Sequence, residues 1–532
     1  MSSTTAGERL HREMAACWRW RIETDPELAA SFGLLSKRRS GHALDPRSVE
    51  SFALRSQWME RALQRVRRTV PRDELDGVED VLSYDLYVKQ LTDYIAYAPR
   101  HRAYLCCINR LEGPQTDLPL YAKYLPVRSK AERDFYIAFC EAIPTQIHQV
   151  VELLRVGLRE GRTPPRVSLD GVVEQIRGMI DGGLIEFTDP LKEYPDAAKE
   201  CRTIVDGPVK ESFRHLVAFL EHEYVPNLRT GISAVVGYPN GDEYYRDCLL
   251  FHTTTRMSPQ EIHALGLREV QRVTERMKSI AAQSGYDGRL DEYLEHLRTS
   301  SQYEPSSGEA LCARFRDITG RIAPAMLKLF HLYTLPRMPF SITETPAAQA
   351  IMAPAAYYLA GSADPSSPRP GVFYVNTSEL STRRTYECEA LALHEAIPGH
   401  HTQGAIQGEN PSLPDFRRFA EDRRYFEAPC RFPFYTGYIE GWGLHCETLG
   451  EELGLYETPE DRMGQLSMEA LRSCRLVVDT GMHAMGWTQE QAVEYMLSNT
   501  AMGRHDAVTE VMRYITWPGQ ACAYKGSASY AD

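Results

Sequence analysis

Nowhere in its 532 residues does the chain carry the ~18 consecutive apolar residues that a membrane span requires. The opening residues, Met1-Ser-Ser-Thr-Thr-Ala-Gly-Glu-Arg-Leu10, lack the apolar core of an export signal, so a cytoplasmic protein is the expectation. Dense basic runs are missing as well: Lys37-Arg38-Arg39 and Arg65-Val66-Arg67-Arg68 are short and read as solvated faces. With 72 acidic against 60 basic side chains the net charge is −12, which argues against nucleic acid and against an anionic membrane surface as partners. The twelve cysteines form no C-x-x-C pair, and Cys106 and Cys107 are adjacent, so neither a zinc finger nor a disulfide framework is indicated. Cys388, Cys446, Cys474 and Cys522 read as small buried residues. No internal repeat or low-complexity segment stands out.

Helical periodicity is plentiful. Apolar residues recur at three- and four-residue spacing over 6–22, 46–68, 130–160, 208–223, 258–283 and 308–334. Ser258-Pro259-Gln260-Glu261 predicts a helix start, with a cap, a proline in the first turn and a glutamate three residues on. Extended segments are few, at 348–358 and 371–376, with a polar, turn-rich loop at 361–370 between them. These two segments predict a small β-hairpin whose exposed edge would suit an extended, peptide-like ligand.

Chemistry concentrates in residues 391–403, Leu-Ala-Leu-His-Glu-Ala-Ile-Pro-Gly-His-His-Thr-Gln. Imidazole nitrogen and carboxylate oxygen are good ligands for Zn2+, and a hydrolytic site uses three of them. Glu395, beside His394, is placed to move a proton as general base and then acid. The usual second histidine four residues on is absent: Pro398 stands there, and the next histidines are His400 and His401. Pro398 has no N–H to give to the carbonyl of residue 394, and Gly399 permits unusual backbone angles. A helical bulge that loops out two residues brings His400 to the second ligand position; three would bring His401. His400 is favoured, because Gly399-His400 matches the Gly-His ending of many zinc helices. A second run, Tyr438-Ile-Glu-Gly-Trp-Gly-Leu-His-Cys-Glu447, resembles the helix that gives zinc aminopeptidases their glutamate ligand, which makes Glu440 the third ligand by analogy. Glu447, seven residues later on the same face, is a candidate to orient a histidine. Read more plainly, residues 394–401 alone are a helix end with solvated histidines.

Further segments carry a family resemblance: Arg369-Pro-Gly-Val-Phe-Tyr-Val-Asn376, Tyr386 through Gln403, Glu440-Gly-Trp442, Arg475-Leu-Val-Val-Asp-Thr-Gly481 with His483, Arg513-Tyr514 with Trp517-Pro-Gly-Gln520, and Ala523-Tyr-Lys525. In these the chain resembles the bacterial family called domain of unknown function 885, whose members look like helical zinc metallopeptidases. The resemblance covers the chain from about residue 20. It implies a mainly α, two-lobed metallopeptidase-like fold with a central cleft and the small hairpin next to the zinc helix. We expect a single family domain over 1–532, with a helical lobe over about 1–340 and a zinc-binding lobe over 341–532. The chain departs from the family pattern at His445, where a tyrosine is usual, and in its short small-residue ending.

Amide hydrolysis builds negative charge on the carbonyl oxygen, and a second donor beside the metal is usual. Tyr524 is the first candidate and His483 the second. Arg475, Arg513 and Lys525 offer cations for a substrate carboxylate. The reading is a zinc-dependent hydrolase of peptide or amide bonds in small peptides or peptide-like metabolites. One alternative keeps the zinc and acts on a biosynthetic intermediate, by amide hydrolysis, elimination or cyclisation. Another is a non-catalytic binding protein on a peptidase scaffold.

Overall fold

The structure, a computed structural model, describes residues 5–39, 41–346, 350, 353–362, 368–419, 424–430 and 435–528. Helix takes up 71% of it and strand 4%, so the chain is mainly α. Four expected helices form close to their predicted bounds, as Ala6–Thr24, Val49–Thr69, Lys130–Glu160 and Pro259–Gln283. Ser258 and Glu261 cap each other's backbone as the pattern predicts, and Ser129 with Glu132 does the same. The segment expected over 208–223 contains the helix Lys210–Phe219. The one expected over 308–334 ends as regular helix at Ala325, beyond which only short turns follow. Among the described residues, no helix is long and apolar enough to cross a membrane.

Two long helices, Val78–His101 and Pro459–Ala484, lie outside the periodic segments. The second is the central strut of the molecule, and every residue from Met463 to His483 is buried. A helix enclosed on all sides has no polar face to set a period. Its charged residues find partners inside the protein instead.

The sheet has three strands: β1 (Phe340–Glu344), β2 (Ala356–Leu359) and β3 (Gly371–Val375), in the order β1-β3-β2. β2 and β3 form the expected antiparallel pair, with Tyr358 opposite Phe373. Of the strand expected over 348–358 only the end from Ala356 is extended; 347–349, 351–352 and the loop residues 363–367 lie outside the described residues. β1 adds a parallel edge to β3 that the hairpin reading did not include. Gly371, Phe373 and Val375 point inward, and Phe373 meets Phe315 edge-on at 5.0 Å.

Apolar packing does not divide at residue 340. The N-terminal clusters are built from residues 6–228, joined by Phe416, Phe419, Phe426 and Cys430 from the second half. Helix Pro259–Gln283 instead belongs with the strut: a Cβ on Gly266 would stand 2.8 Å from Leu476. A cavity of about 1300 Å³ separates the two sets of clusters. Its walls come from residues 110–124 and 171–179 on one side and from β2, His394, Glu440 and the strut on the other.

Candidate metal centre

Helix Cys388–Glu395 ends where Ala396 leaves helical geometry, and a new helix, His400–Glu409, begins after Gly399. The expected bulge inside one helix is thus a full interruption of four residues. Pro398 lies in it, and its carbonyl accepts the indole N–H of Trp442 at 2.9 Å. Gly399 is required here, because a Cβ would lie 1.9 Å from the carbonyl oxygen of His394. Helix Thr436–Leu453 crosses directly above, and its Gly443 leaves room for the imidazole of His394, whose Cε1 would be 2.7 Å from a Cβ.

This break gathers His394, His400 and Glu440, with one ligand atom from each lying within 4.8 Å of the others. Nε2 of His394 and Nε2 of His400 both stand 3.5 Å from Oε2 of Glu440. That spacing is long for a hydrogen bond, and the oxygen is buried with no donor on it. It is the separation expected of ligands that share a small ion at roughly 2.0–2.2 Å in tetrahedral geometry. The donor set, two imidazoles and a carboxylate, fits zinc.

His401 is turned the other way. Its Nδ1 is 2.9 Å from the hydroxyl of Tyr358 on β2, and its ring packs against Phe340 on β1. Burial pushes its pKa down to about 4. His445 is exposed and rests on Trp442, outside the cluster.

Behind His394 runs a chain of buried groups. Nδ1 of His394 pairs with Oε1 of Glu447 at 2.8 Å, and the same oxygen takes Nη2 of Arg472 at 3.2 Å. The carboxylate fixes the imidazole so that Nε2 faces the cluster. Burial disfavours a charged His394, but Glu440 and Glu447 outweigh it and pull its pKa up to about 9. Burial likewise opposes ionisation of Glu440, yet the two imidazoles hold its carboxyl well below the usual range. Carboxylates in excess over cations are what a bound divalent ion relieves.

Glu395 lies in the cavity wall, 8% exposed, and its carboxylate makes no hydrogen bond among the described residues. Burial pushes its pKa up, against the pull of His400 and His394. Tyr524 is also in the wall. Its ring is 6.2 Å from that of His394 and at a shallow angle to it, and Cζ of Arg475 lies 4.3 Å from the Tyr524 ring centroid. Its hydroxyl is likewise without a hydrogen bond among the described residues.

The remaining candidates separate. Arg475 and Arg513 line the cavity. Lys525 does not: its ammonium is 2.9 Å from Glu469 and 3.1 Å from Glu269. His483 is a correction. It is buried away from the cluster, Nδ1 accepting from the N–H of Ala234 and Nε2 meeting the carbonyl of Tyr514, both at 3.0 Å, so neither nitrogen is left for a substrate. Three contributors escaped the sequence reading. Arg472 was detectable as a cation three residues before Arg475 on the same helix. Glu510 and the Tyr358–His401 contact carry no local signal.

Compared with known proteins, residues 26–528 match the family model described as bacterial protein of unknown function (DUF885). A solved structure from Colwellia psychrerythraea, described as a "putative lipoprotein", is 24% identical and aligns with a TM-score of 0.86 over 99% of this chain and 92% of that one. A "putative lipoprotein of unknown function" from Shewanella oneidensis aligns with a TM-score of 0.65 at 16% identity, over the same shares. No curated protein matches the chain. The two alignments establish a shared fold. Both neighbours are described as putative lipoproteins, which contradicts the cytoplasmic expectation.

Proposed function

This chain belongs to the DUF885 family, and from that footing we propose that it is a zinc-dependent hydrolase of peptide or amide bonds in small, peptide-like substrates. The observation that carries this reading is Glu395: a buried carboxylate without a hydrogen-bond partner among the described residues, opening on a large cavity, next in sequence to one of three convergent candidate ligands. A scaffold has no use for an unpartnered buried acid; a proton-transfer site does.

Zinc held by His394, His400 and Glu440 would supply Lewis acidity toward water and toward a carbonyl oxygen. Glu395 takes the proton of the attacking water as oxygen adds to the carbonyl carbon, then delivers it to the amine nitrogen as the C–N bond breaks. Tyr524 donates a hydrogen bond from its hydroxyl to the carbonyl oxygen as charge develops there. Glu447 keeps His394 oriented, and Arg472 holds the Glu447 carboxylate in place. β2 is an edge strand of the sheet and lines the cavity from Ala356 to Leu359, so an extended substrate can pair with its backbone. A metallopeptidase-like fold with the cavity as central cleft is part of the same reading.

The test joins metal analysis to a product screen. The purified protein should hold about one zinc per chain and cleave members of a short-peptide library in a zinc-dependent way, read by mass spectrometry. Glu395→Gln should keep the zinc and lose about 10²–10⁴-fold in turnover. Zinc-loaded enzyme that leaves every peptide and amide intact, or a Glu395→Gln protein of normal activity, would refute the proposal.

A further inference from the structure

Three guanidinium groups meet on one stretch of the cavity wall: Arg472 and Arg475 from the strut, and Arg513 from helix Arg504–Thr516. The charge of Arg472 is spent on Glu447. Among the described residues, Arg475 and Arg513 hydrogen-bond to one and the same acid. Their Nη2 atoms lie 2.7 and 2.8 Å from the same oxygen, Oε2 of Glu510, which also accepts the hydroxyl of Tyr514 at 2.7 Å. One carboxylate cannot neutralise two guanidinium ions, so a unit of positive charge is left over.

Two other observations point the same way. Nη1 of Arg475 is buried and has no hydrogen-bond partner among the described residues; buried donors left unmade are uncommon and costly. The wall as a whole also departs from the chain's charge balance. Among the described residues it carries ten basic and nine acidic side chains, whereas the full sequence has 60 and 72. An uncompensated buried charge is expensive, and the cavity is the side from which a counter-ion can arrive.

Tyr524 sets the distance. Its ring lies 6.2 Å from the ring of His394 and 4.3 Å from Cζ of Arg475. Together these distances put Cζ of Arg475 within about 11 Å of the His394 ring, a span that about three extended residues cover. Resting on the amide-hydrolase reading, we propose that the substrate carries a free carboxylate within three residues of the scissile carbonyl, bound by Arg475 and Arg513. The class is short peptide acids and acylated amino acids. Lys525, tied to Glu469 and Glu269 outside the wall, takes no part. Arg475 and Arg513 bind and position; they move no proton.

The experiment uses zinc-loaded Glu395→Gln protein and two libraries of di- and tripeptides, one with free C-terminal carboxylates and one with the same sequences amidated. Affinities are measured by native mass spectrometry or calorimetry. The free acids should bind at least about tenfold more tightly, the usual worth of a charge-assisted hydrogen bond, and Arg513→Gln should erase the preference. With wild-type enzyme, amidation should raise KM and leave kcat within a few-fold, as expected when uniform binding is lost. Because the acid–amide comparison needs no change at the arginines, a misfolded Arg513 variant would not obscure it. Equal affinity for acids and amides, or binding of neither, overturns the inference. Preferential binding of acids without any zinc-dependent cleavage by the wild type would instead overturn the hydrolase reading and leave the carboxylate site standing.

Discussion

Glu440, half-buried, and Asp479, fully buried, are acids in motifs that stand out in the sequence, and the structure treats them in opposite ways. Around Glu440 polar atoms are left over: its own Oε2, Nδ1 of His400 and Oε2 of Glu447 are buried without partners, and Glu395 faces open space. Around Asp479 they are used up. Its carboxylate accepts the hydroxyl of Tyr245 at 2.6 Å and the N–H of Gly519 at 3.1 Å, and His483, one turn on, spends both ring nitrogens on the backbone. The first neighbourhood is built for something from outside; the second closes on itself. In a packed interior the distinction is energetic, because a buried group with no partner costs about 1–3 kcal/mol and persists only where a ligand or a reaction repays it.

The sharpest way to break the comparison is at the adjacent pair His400 and His401, which fall on either side of it. His400→Ala removes a candidate ligand and should empty the site of zinc and abolish turnover. His401→Ala should keep the metal and lose about 1–3 kcal/mol of stability, the cost of stranding the Tyr358 hydroxyl. Elemental analysis and thermal melts of the two proteins decide it. A His401→Ala protein without zinc and a His400→Ala protein with it would reverse the assignment.

Tyr524→Phe is the next largest effect. Its hydroxyl belongs to the open neighbourhood and is assigned to the developing oxyanion, so its loss should lower kcat by about 10²-fold. KM and zinc content should change little. If kcat were unaltered and only stability fell, Tyr524 would join the closed neighbourhood.

How far the sequence reveals this difference depends on where the partners lie. The break after Glu395 is legible, because Pro398 and Gly399 have local consequences for any helix. The gathering of His394 with His400 and Glu440 follows from that break and from the Glu-Gly-Trp run. What spends His483 is not legible: Ala234 and Tyr514 lie 249 and 31 residues away, and nothing in the motif announces them. Lys525 fails for the same reason, since Glu269 and Glu469 reach it from two other helices. The fold shows a parallel limit. Amphipathic helices announce themselves, whereas the strut Pro459–Ala484, buried throughout, has no period to read. β1 pairs in parallel with a strand some thirty residues on, a contact with no turn signal behind it.

The smallest expected effect tests the closed neighbourhood directly, through pH. Burial, aided by nearby Arg229, pushes the pKa of His483 down to about 4 from its ordinary 6.5, while the carbonyl of Tyr514 pulls the other way. The folded protein therefore keeps the imidazole neutral at pH values where the unfolded chain has taken up a proton. Its contribution to stability is intact above pH 6.5 and falls away as the pH drops from 6.5 toward 4, by up to about 1.4 kcal/mol per unit. His483→Gln should cost about 1–3 kcal/mol at pH 7 but should lose less than the wild type between pH 7 and pH 5, because the glutamine has no proton to take up. Zinc content should be unchanged, since the residue lies away from the metal cluster. Parallel melting curves for the two proteins across that range would show that His483 is not held neutral by the fold. Loss of zinc in the variant would show that the closed neighbourhood is not independent of the open one.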